Sequence, residues 1–266
     1  MRSTRHYPTD VSDAQWEVLQ LLLPTPKWRP GGPGRKPMDL RHVMNGLFYI
    51  NKTGCQWRMM PTDFGSWQTL YGYCRRWRQA GLWAQMLETL RHGERRNHGR
   101  LDEPSAGSIE SQSVKTATQG TDVGLDGNKK IKGRKRHILV DTLGLIVAVV
   151  VTAAHVDDRQ GLLQRLTGYF VEGPRRLRKL WVESGSVAQW LQEWVGGLKR
   201  THTVTLEIAE HPGQGFVVVP RRWVVERTFA WLLNYRRHRC DYETLTTNSE
   251  AMIQLSMLHL LLRRLA

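Results

Sequence analysis

Three glutamates, far apart in the chain, sit where neighbouring residues fix the direction of a carboxylate. Glu110 lies in the strand-like run Ser108-Ile109-Glu110-Ser111-Gln112-Ser113-Val114. Glu183 closes the β-rich run Lys179-Leu180-Trp181-Val182. Glu226 falls in Pro220-Arg221-Arg222-Trp223-Val224-Val225-Glu226-Arg227-Thr228-Phe229-Ala230-Trp231-Leu232. On a helix, Glu226 shares a face with Phe229, Ala230 and Leu233. A carboxylate on an apolar stripe is costly to bury unless a partner or a metal takes it. An ion pair to Arg222, one turn back, would account for it. So would a divalent cation shared with the other two acids. Mg²⁺ prefers hard oxygen ligands in a rigid frame. Carboxylates delivered by strands and a helix suit metal-dependent displacement at phosphorus, as in a DNA transferase.

The elements that must position these acids change character along the chain. Residues 1–92 read as helical. Ser12-Asp13-Ala14-Gln15 is a capping-box signature opening a helix with Trp16, Leu19, Leu22 and Leu23, closed by Pro24. Residues 27–37, rich in Pro, Gly and Arg, form a loop. Asp39 caps a second helix ending near Gly54, and Ser66 a third that stops around Gly81. A fourth runs over residues 82–91. Short helices on short loops fit a helix-turn-helix-like module. The third helix mixes Arg75, Arg76 and Arg78 with Trp67, Tyr71, Tyr73 and Trp77, which suits a DNA-reading element. An ordinary amphipathic helix with solvated arginines gives the same pattern.

Residues 93–107 are polar and charged, with Gly93, Gly99, Pro104 and Gly107, and read as a linker. From residue 108 to 266 the pattern is α/β. A strand around 108–113 precedes a Gly-rich loop over 120–127. The basic run 129–137 leads to a second strand, a tight turn at 141–144 and β-rich residues 145–152. Strands follow at 177–182, 203–208 and 216–219. Helices are expected over 158–166, 190–198, 222–238 and 249–265. The class is α+β/α/β: a helical domain, then a mixed sheet flanked by helices.

The chain has 266 residues, 40% hydrophobic and 24% charged. Lys and Arg number 39 against 24 Asp and Glu, a formal +15 with a pI near 10.2. Residues 1–100 alone carry 16 basic and 7 acidic side chains, a net +9. Such an excess points to a polyanionic partner, above all nucleic acid, rather than merely a solvated basic surface. Cys55, Cys74 and Cys240 have no zinc or CxxC spacing and read as reduced thiols of a cytosolic protein. No apolar signal core follows Met1-Arg2-Ser3-Thr4-Arg5, and the longest apolar run, 143–154, is too short to span a membrane. His155 and His211 read as surface or capping residues, and Trp181, Trp223 and Trp231 as core.

Further motifs carry a resemblance. They are Tyr7-Pro8-Thr9-Asp10, Trp57-Arg58-Met59-Met60-Pro61 and Trp67-Gln68-Thr69-Leu70-Tyr71, then Ser111-Gln112-Ser113-Val114-Lys115-Thr116, residues 127–141 and residues 221–232. Ser249-Glu250-Ala251-Met252-Ile253 and the carboxyl end complete them. Together, over nearly the whole length, the chain resembles bacterial insertion-sequence transposases of the DDE superfamily, in the insertion-sequence-five group. The resemblance implies an RNase H-like catalytic domain whose acids sit on the opening strand, at the end of a later strand and on a following helix. Those positions are Glu110, Glu183 and Glu226, with Arg222 matching an arginine of the helix motif. It implies two Mg²⁺ or Mn²⁺ ions, about 3.5–4 Å apart, with the first acid bridging them. It further implies double-stranded DNA, both element ends and target, as partner. A homodimer or larger assembly on DNA is expected, in the bacterial cytoplasm at the nucleoid and without membrane contact.

The chain departs from that pattern where the family has aspartate at positions 110 and 183, and a Gly-Tyr where this chain has Gly185-Ser186. Glutamate keeps the charge but adds a methylene and a torsion. A displacement near 1 Å can cost on the order of 10²-fold in rate. Two such changes point to an impaired catalyst, or to a protein retained for DNA binding as a repressor or end-occupying competitor. Asp126, Asp141, Asp157 and Asp158 are weak candidates for a substitute ligand. Lys129, Lys130, Lys132, Arg134, Lys135 and Arg136 suit phosphate contacts beside the catalytic strands, with a solvated hairpin arm as the plainer reading.

Overall fold

The computed structural model describes residues 7–25, 28–29, 31–32, 36–117, 120–156, 176–183, 204–209 and 223–266. The helices expected over 158–166 and 190–198, the strand over 216–219, and Arg222, Asp157, Asp158 and His211 lie outside the described residues.

Local chemistry sets the first helices. Helix α1 (Asp13–Gln20) opens with the expected capping box: the Ser12 hydroxyl accepts from the Gln15 amide, and the Gln15 side chain accepts from the Ser12 amide. Helix α2 (Leu40–Thr53) is capped by the Asp39 carboxylate and ends on Gly54, at φ +70°. That left-handed stop favours glycine. Helix α3 spans Trp67–Gln79 and α4 spans Leu82–Asn97. Helix α4 runs on well past residue 91, because Leu87, Leu90, Arg91, Glu94 and Arg95 continue its buried face.

The strands are β1 (Ala106–Lys115), β2 (Gly124–Asp126), β3 (Ile131–Asp141), β4 (Ile146–Ala153), β5 (Lys179–Glu183) and β6 (Thr205–Ala209). The boundaries expected at 92/93 and 107/108 therefore fall inside α4 and β1. Strand β3 pairs antiparallel with β1, β2 and β4, while β5 runs parallel to β1 and β6 parallel to β5. Strand β1 thus lies inside the sheet, between β3 and β5. The turn from β3 to β4 is tight, with the Gly144 amide donating to the Asp141 carbonyl and Gly144 at φ +80°.

Helix α5 (Trp223–Leu233) packs on β1 and β3. It is shorter than the expected 222–238. Beyond Leu233 the Asn234 and Tyr235 amides donate to carbonyls only three residues back, and a 3₁₀ turn, Arg236–His238, follows. Helix α6 (Thr246–Leu265) touches α1, α2, α3, α4, α5 and β4. It is buried on nearly all sides, and its polar Asn248, Ser249, Glu250, Ser256 and His259 are buried with its apolar residues. One hydrophobic core therefore runs from Leu19 and Leu47 through Ile253 and Leu258 to Ile138 and Val149. Asn51 ties α2 to α6 by donating to the Met252 carbonyl and the Ser256 hydroxyl. No described helix is long and apolar enough to cross a membrane.

Candidate active site

Strand β1 carries Glu110 at the register position opposite Ile138 of β3. On its other side the parallel ladder ends with Ile109 opposite Val182. The ladder stops one residue short of Glu110 on β1 and of Glu183 on β5. Glu183 is the last residue of β5, as its pattern predicted. Helix α5 packs on β1 and β3 through Val224, Val225, Thr228, Phe229 and Leu232, and leaves Glu226 exposed at the edge of that contact. Glu110 and Glu226 line one open cleft of about 350 Å³, together with Ser113, Lys129, Phe229 and Leu233. The structure thus brings the first and third acids into one cleft, and the second ends β5, the strand that runs beside β1.

Helix α5 is anchored by the residues that follow Glu226. Thr228 donates its hydroxyl to the Gly144 carbonyl, and Arg227 donates to the Leu143 carbonyl. The Arg227 guanidinium also lies over the Trp223 and Trp231 rings. Trp223 is 42% exposed, so it is not the core residue that its apolar context predicted. Trp231 does pack on the core, and the Trp181 indole donates to Glu207.

The two described substitute acids, Asp126 and Asp141, are committed to other partners. Asp141 is fully buried, paired with Arg95 at 2.5 Å, and accepts the Leu143 and Leu145 amides. Asp126 accepts from the Ser113 hydroxyl at 2.5 Å and from the Asn128 and Lys129 amides. Burial pushes the Asp126 carboxyl up, but the Ser113 hydroxyl, the Lys129 amide and the Lys135 charge outweigh it and hold the group below its ordinary value. Periodicity alone could not show this bridge. The turn signal Asp126-Gly127-Asn128 marks the place but not the partner on β1.

The basic run divides sharply. Lys129, Lys130 and Lys132 are exposed. Arg134, Lys135 and Arg136, expected at phosphates, are buried instead. Arg134 pairs with Asp241 at 3.1 Å and donates to the Thr121, Glu243 and Thr244 carbonyls. Arg136 donates to the His238 carbonyl, and burial pulls its pKa down to about 10. Lys135 donates to the Val156 carbonyl. The reason is topological: β3 is covered on both faces beyond Lys132, so its cations must find carbonyls and carboxylates inside. In α3, Arg75 and Arg76 are exposed, while Arg78 is half-buried and bonded to Thr247.

A second group, Glu88, His92 and Glu103, gathers ligand-type atoms but does not line the cleft. Arg91 lies 3.7 Å from both of its carboxylates, and His92 lies 3.1 Å from Glu103. That cluster reads as an ion-pair network.

Comparisons with known proteins agree with this architecture. The family model described as a transposase DDE domain matches residues 102–261, from just before β1 nearly to the end of α6. A model for transposases of the IS4/5 family matches residues 11–87, across the amino-terminal helices. The chain is also 32% identical over 117 residues to the "Insertion element IS402 uncharacterized 16.2 kDa protein" of Burkholderia cepacia, a match covering 43% of this chain and 78% of that protein. A strand acid and a helix acid facing one cleft, inside a matched DDE domain and behind matched amino-terminal helices, lead to one assignment: the chain belongs to the DDE transposases of insertion sequences, in the IS4/5 family.

Proposed function

We propose that this protein binds the ends of an insertion sequence and cuts and joins DNA strands in the cleft of Glu110, Glu183 and Glu226. The observation that carries this reading is that Glu110 and Glu226 line the same open cleft. The strand order, antiparallel on one side of β1 and parallel on the other, supports the RNase H-like reading of the domain. Carboxylates are the hard oxygen donors that Mg²⁺ or Mn²⁺ prefers, so the three acids fit a divalent pair. Bound ions of this kind activate an attacking oxygen and stabilise a leaving one.

The chain's own residues do the positioning. Strands β1 and β5 hold Glu110 and Glu183 on a rigid sheet. Arg227 and Thr228 fix the rotation of α5 and hence the aim of Glu226. Phe229 and Leu233 give the cleft an apolar wall. In cleavage, a water gives up a proton to solvent as its oxygen bonds to phosphorus, and the P–O3′ bond breaks. The electron pair leaves on the 3′ oxygen, which takes a proton from solvent. In joining, that 3′ hydroxyl gives up its proton to solvent and its oxygen bonds to a target phosphorus, while the target strand's P–O3′ bond breaks and the leaving 3′ oxygen takes a proton. The partner is double-stranded DNA, engaged by a homodimer or larger assembly at the bacterial nucleoid. A non-catalytic repressor or end-occupying competitor is the second reading, favoured by glutamate in place of aspartate at positions 110 and 183.

Strand cleavage of a duplex carrying the element's own terminal sequence, in Mg²⁺ and in Mn²⁺, separates the two. Glu226→Ala is expected to abolish cleavage while leaving DNA affinity unchanged or slightly higher. Undiminished cutting by Glu226→Ala would sink the catalytic assignment. Full end binding with no cutting in either metal would select the competitor reading.

The amino-terminal helices form the end-binding unit in this proposal, in a helix-turn-helix-like arrangement. Helix α3 buries Leu70, Cys74 and Trp77 and leaves Arg75 and Arg76 in solvent. Each phosphate contact contributes about 0.9 to the slope of log affinity against log salt. Arg75→Ala with Arg76→Ala is therefore expected to weaken binding and flatten that slope by roughly 2. Titrations between about 50 and 200 mM salt check it. An unchanged slope would place the contacts elsewhere.

A further inference from the structure

The hairpin made by β2 and the start of β3 does not simply extend the sheet. Ser113 is opposite Lys135 of β3, whereas Asp126 is opposite Ile131, four residues away along that strand. In a straight strand that offset is roughly 13 Å, at about 3.3 Å per residue. Yet the Ser113 hydroxyl donates to the Asp126 carboxylate across 2.5 Å. The hairpin must curl back over β1. Gly133 lies at the bend, where an added Cβ would stand 1.9 Å from the Val114 carbonyl oxygen. No other residue type fits there without moving the strands apart.

The curl sets the tip of the hairpin on the cleft. Asp126, pinned by Ser113, accepts the amides of Asn128 and Lys129 and so closes the turn. Lys130 takes up the left-handed conformation at φ +53°, uncommon for a lysine and a sign that the surroundings dictate this turn. Lys129 then leans over β1, with its ammonium 3.5 Å from the Ser111 carbonyl, and lines the cleft with Glu110 and Glu226. Among the described residues lining the cleft, Lys129 supplies the positive charge. A phosphodiester entering beside two carboxylates meets like charge, and an ammonium at that spot offsets it.

We infer that Lys129 binds a non-bridging oxygen of the scissile phosphate, and that Asp126, held by Ser113, is the residue that positions it. This rests on the transposase reading of the cleft. It goes further by separating Lys129 from Lys130 and Lys132, which are exposed on the same hairpin and contribute affinity at flanking phosphates.

The test is a binding measurement and needs no turnover. Duplexes carrying the element's terminal sequence and its flank are made with one neutral methylphosphonate at a time, stepped across the boundary. For the natural protein, neutralising the boundary phosphate is expected to weaken binding about tenfold, the scale of one charged hydrogen bond. Lys129→Gln is expected to lose a similar factor on the unmodified duplex and to show no further loss at that one position. Lys129→Arg restores part of the difference. Lys130→Gln, by contrast, weakens binding to every duplex alike. Asp126→Asn is expected to reduce the boundary effect with the lysine still present. Should that buried substitution unfold the protein, the exposed Lys129 variants still decide the matter. Equal sensitivity of the natural protein and Lys129→Gln at every phosphate, or coupling only at a phosphate remote from the boundary, overturns this inference and leaves the transposase reading standing. Failure of the natural protein to prefer these duplexes over an unrelated one overturns the transposase reading, and this inference with it.

Discussion

Replacing Glu110 and Glu183 together by aspartate is expected to raise the rate of strand cleavage by on the order of 10²-fold or more for each corrected ligand. The reason is reach. Both glutamates sit on strands whose register is fixed by backbone pairing, so the additional methylene cannot be absorbed by sliding the strand. It must be absorbed by the side chain, and a site of this kind tolerates only about 0.5 Å of error. The double reversion shortens both arms and leaves the charge unchanged, so DNA affinity and folding should barely move. Mn²⁺ accepts the same oxygen ligands as Mg²⁺ and is expected to recover part of the rate in the unreverted protein. The measurement is cleavage and joining on cognate ends at matched DNA occupancy, for the natural protein, each single reversion and the pair. Equal rates across the series would mean that the cleft already accommodates glutamate, and that the departure from aspartate is neutral.

The second large effect is on stability. Arg134→Met is expected to destabilise the fold by about 3–5 kcal/mol, the range for breaking a buried ion pair by removing one partner. Arg134 is 0% exposed. Its loss strands the Asp241 carboxylate, which also accepts from Ser249, and removes the donor for three carbonyls. Those partners join the loop at 121, strand β3 and the segment leading into α6, so the effect should be global. Equilibrium urea unfolding of Arg134→Met beside Lys132→Gln checks it. The exposed lysine should leave the midpoint unchanged and weaken DNA binding, while the arginine does the reverse. If Arg134→Met unfolds like the natural protein but loses DNA, the burial argument fails and the arginine acts at the surface.

These two residue sets show what the sequence by itself determined. The elements carrying the acids were legible, because their signals are local. Ser12 and Asp39 cap their helices through side chains two or three residues away from the amides they bind. Helical periodicity grouped Glu226 with Phe229, Ala230 and Leu233, which do line one cleft, but Glu226, Ala230 and Leu233 are exposed and the buried face is that of Val224, Val225, Thr228, Phe229 and Leu232. The strand positions of Glu110 and Glu183 need only β-rich runs and flanking polar residues. The net charge announced a polyanionic partner without any geometry.

The fate of the basic run was not legible. Residues 129–137 read as one cationic arm, yet the chain puts Lys129, Lys130 and Lys132 in solvent and Arg134, Lys135 and Arg136 inside. The two arginines find most of their partners far along the chain, at Asp241, Glu243, Thr244 and His238. Which side of a strand is covered depends on what folds over it, and no local pattern encodes that. The same holds for the boundary expected at residues 93–107. Composition suggested a linker, but α4 continues to Asn97 because α6, some 150 residues later, completes its core. Sequence chose the acids and the elements. Only the tertiary structure decided which acids share a cleft, which cations stay in solvent, and that Lys129 lines the cleft of the carboxylates. Those outcomes are contacts between distant segments, set by close packing and by the need of every buried charge for a partner.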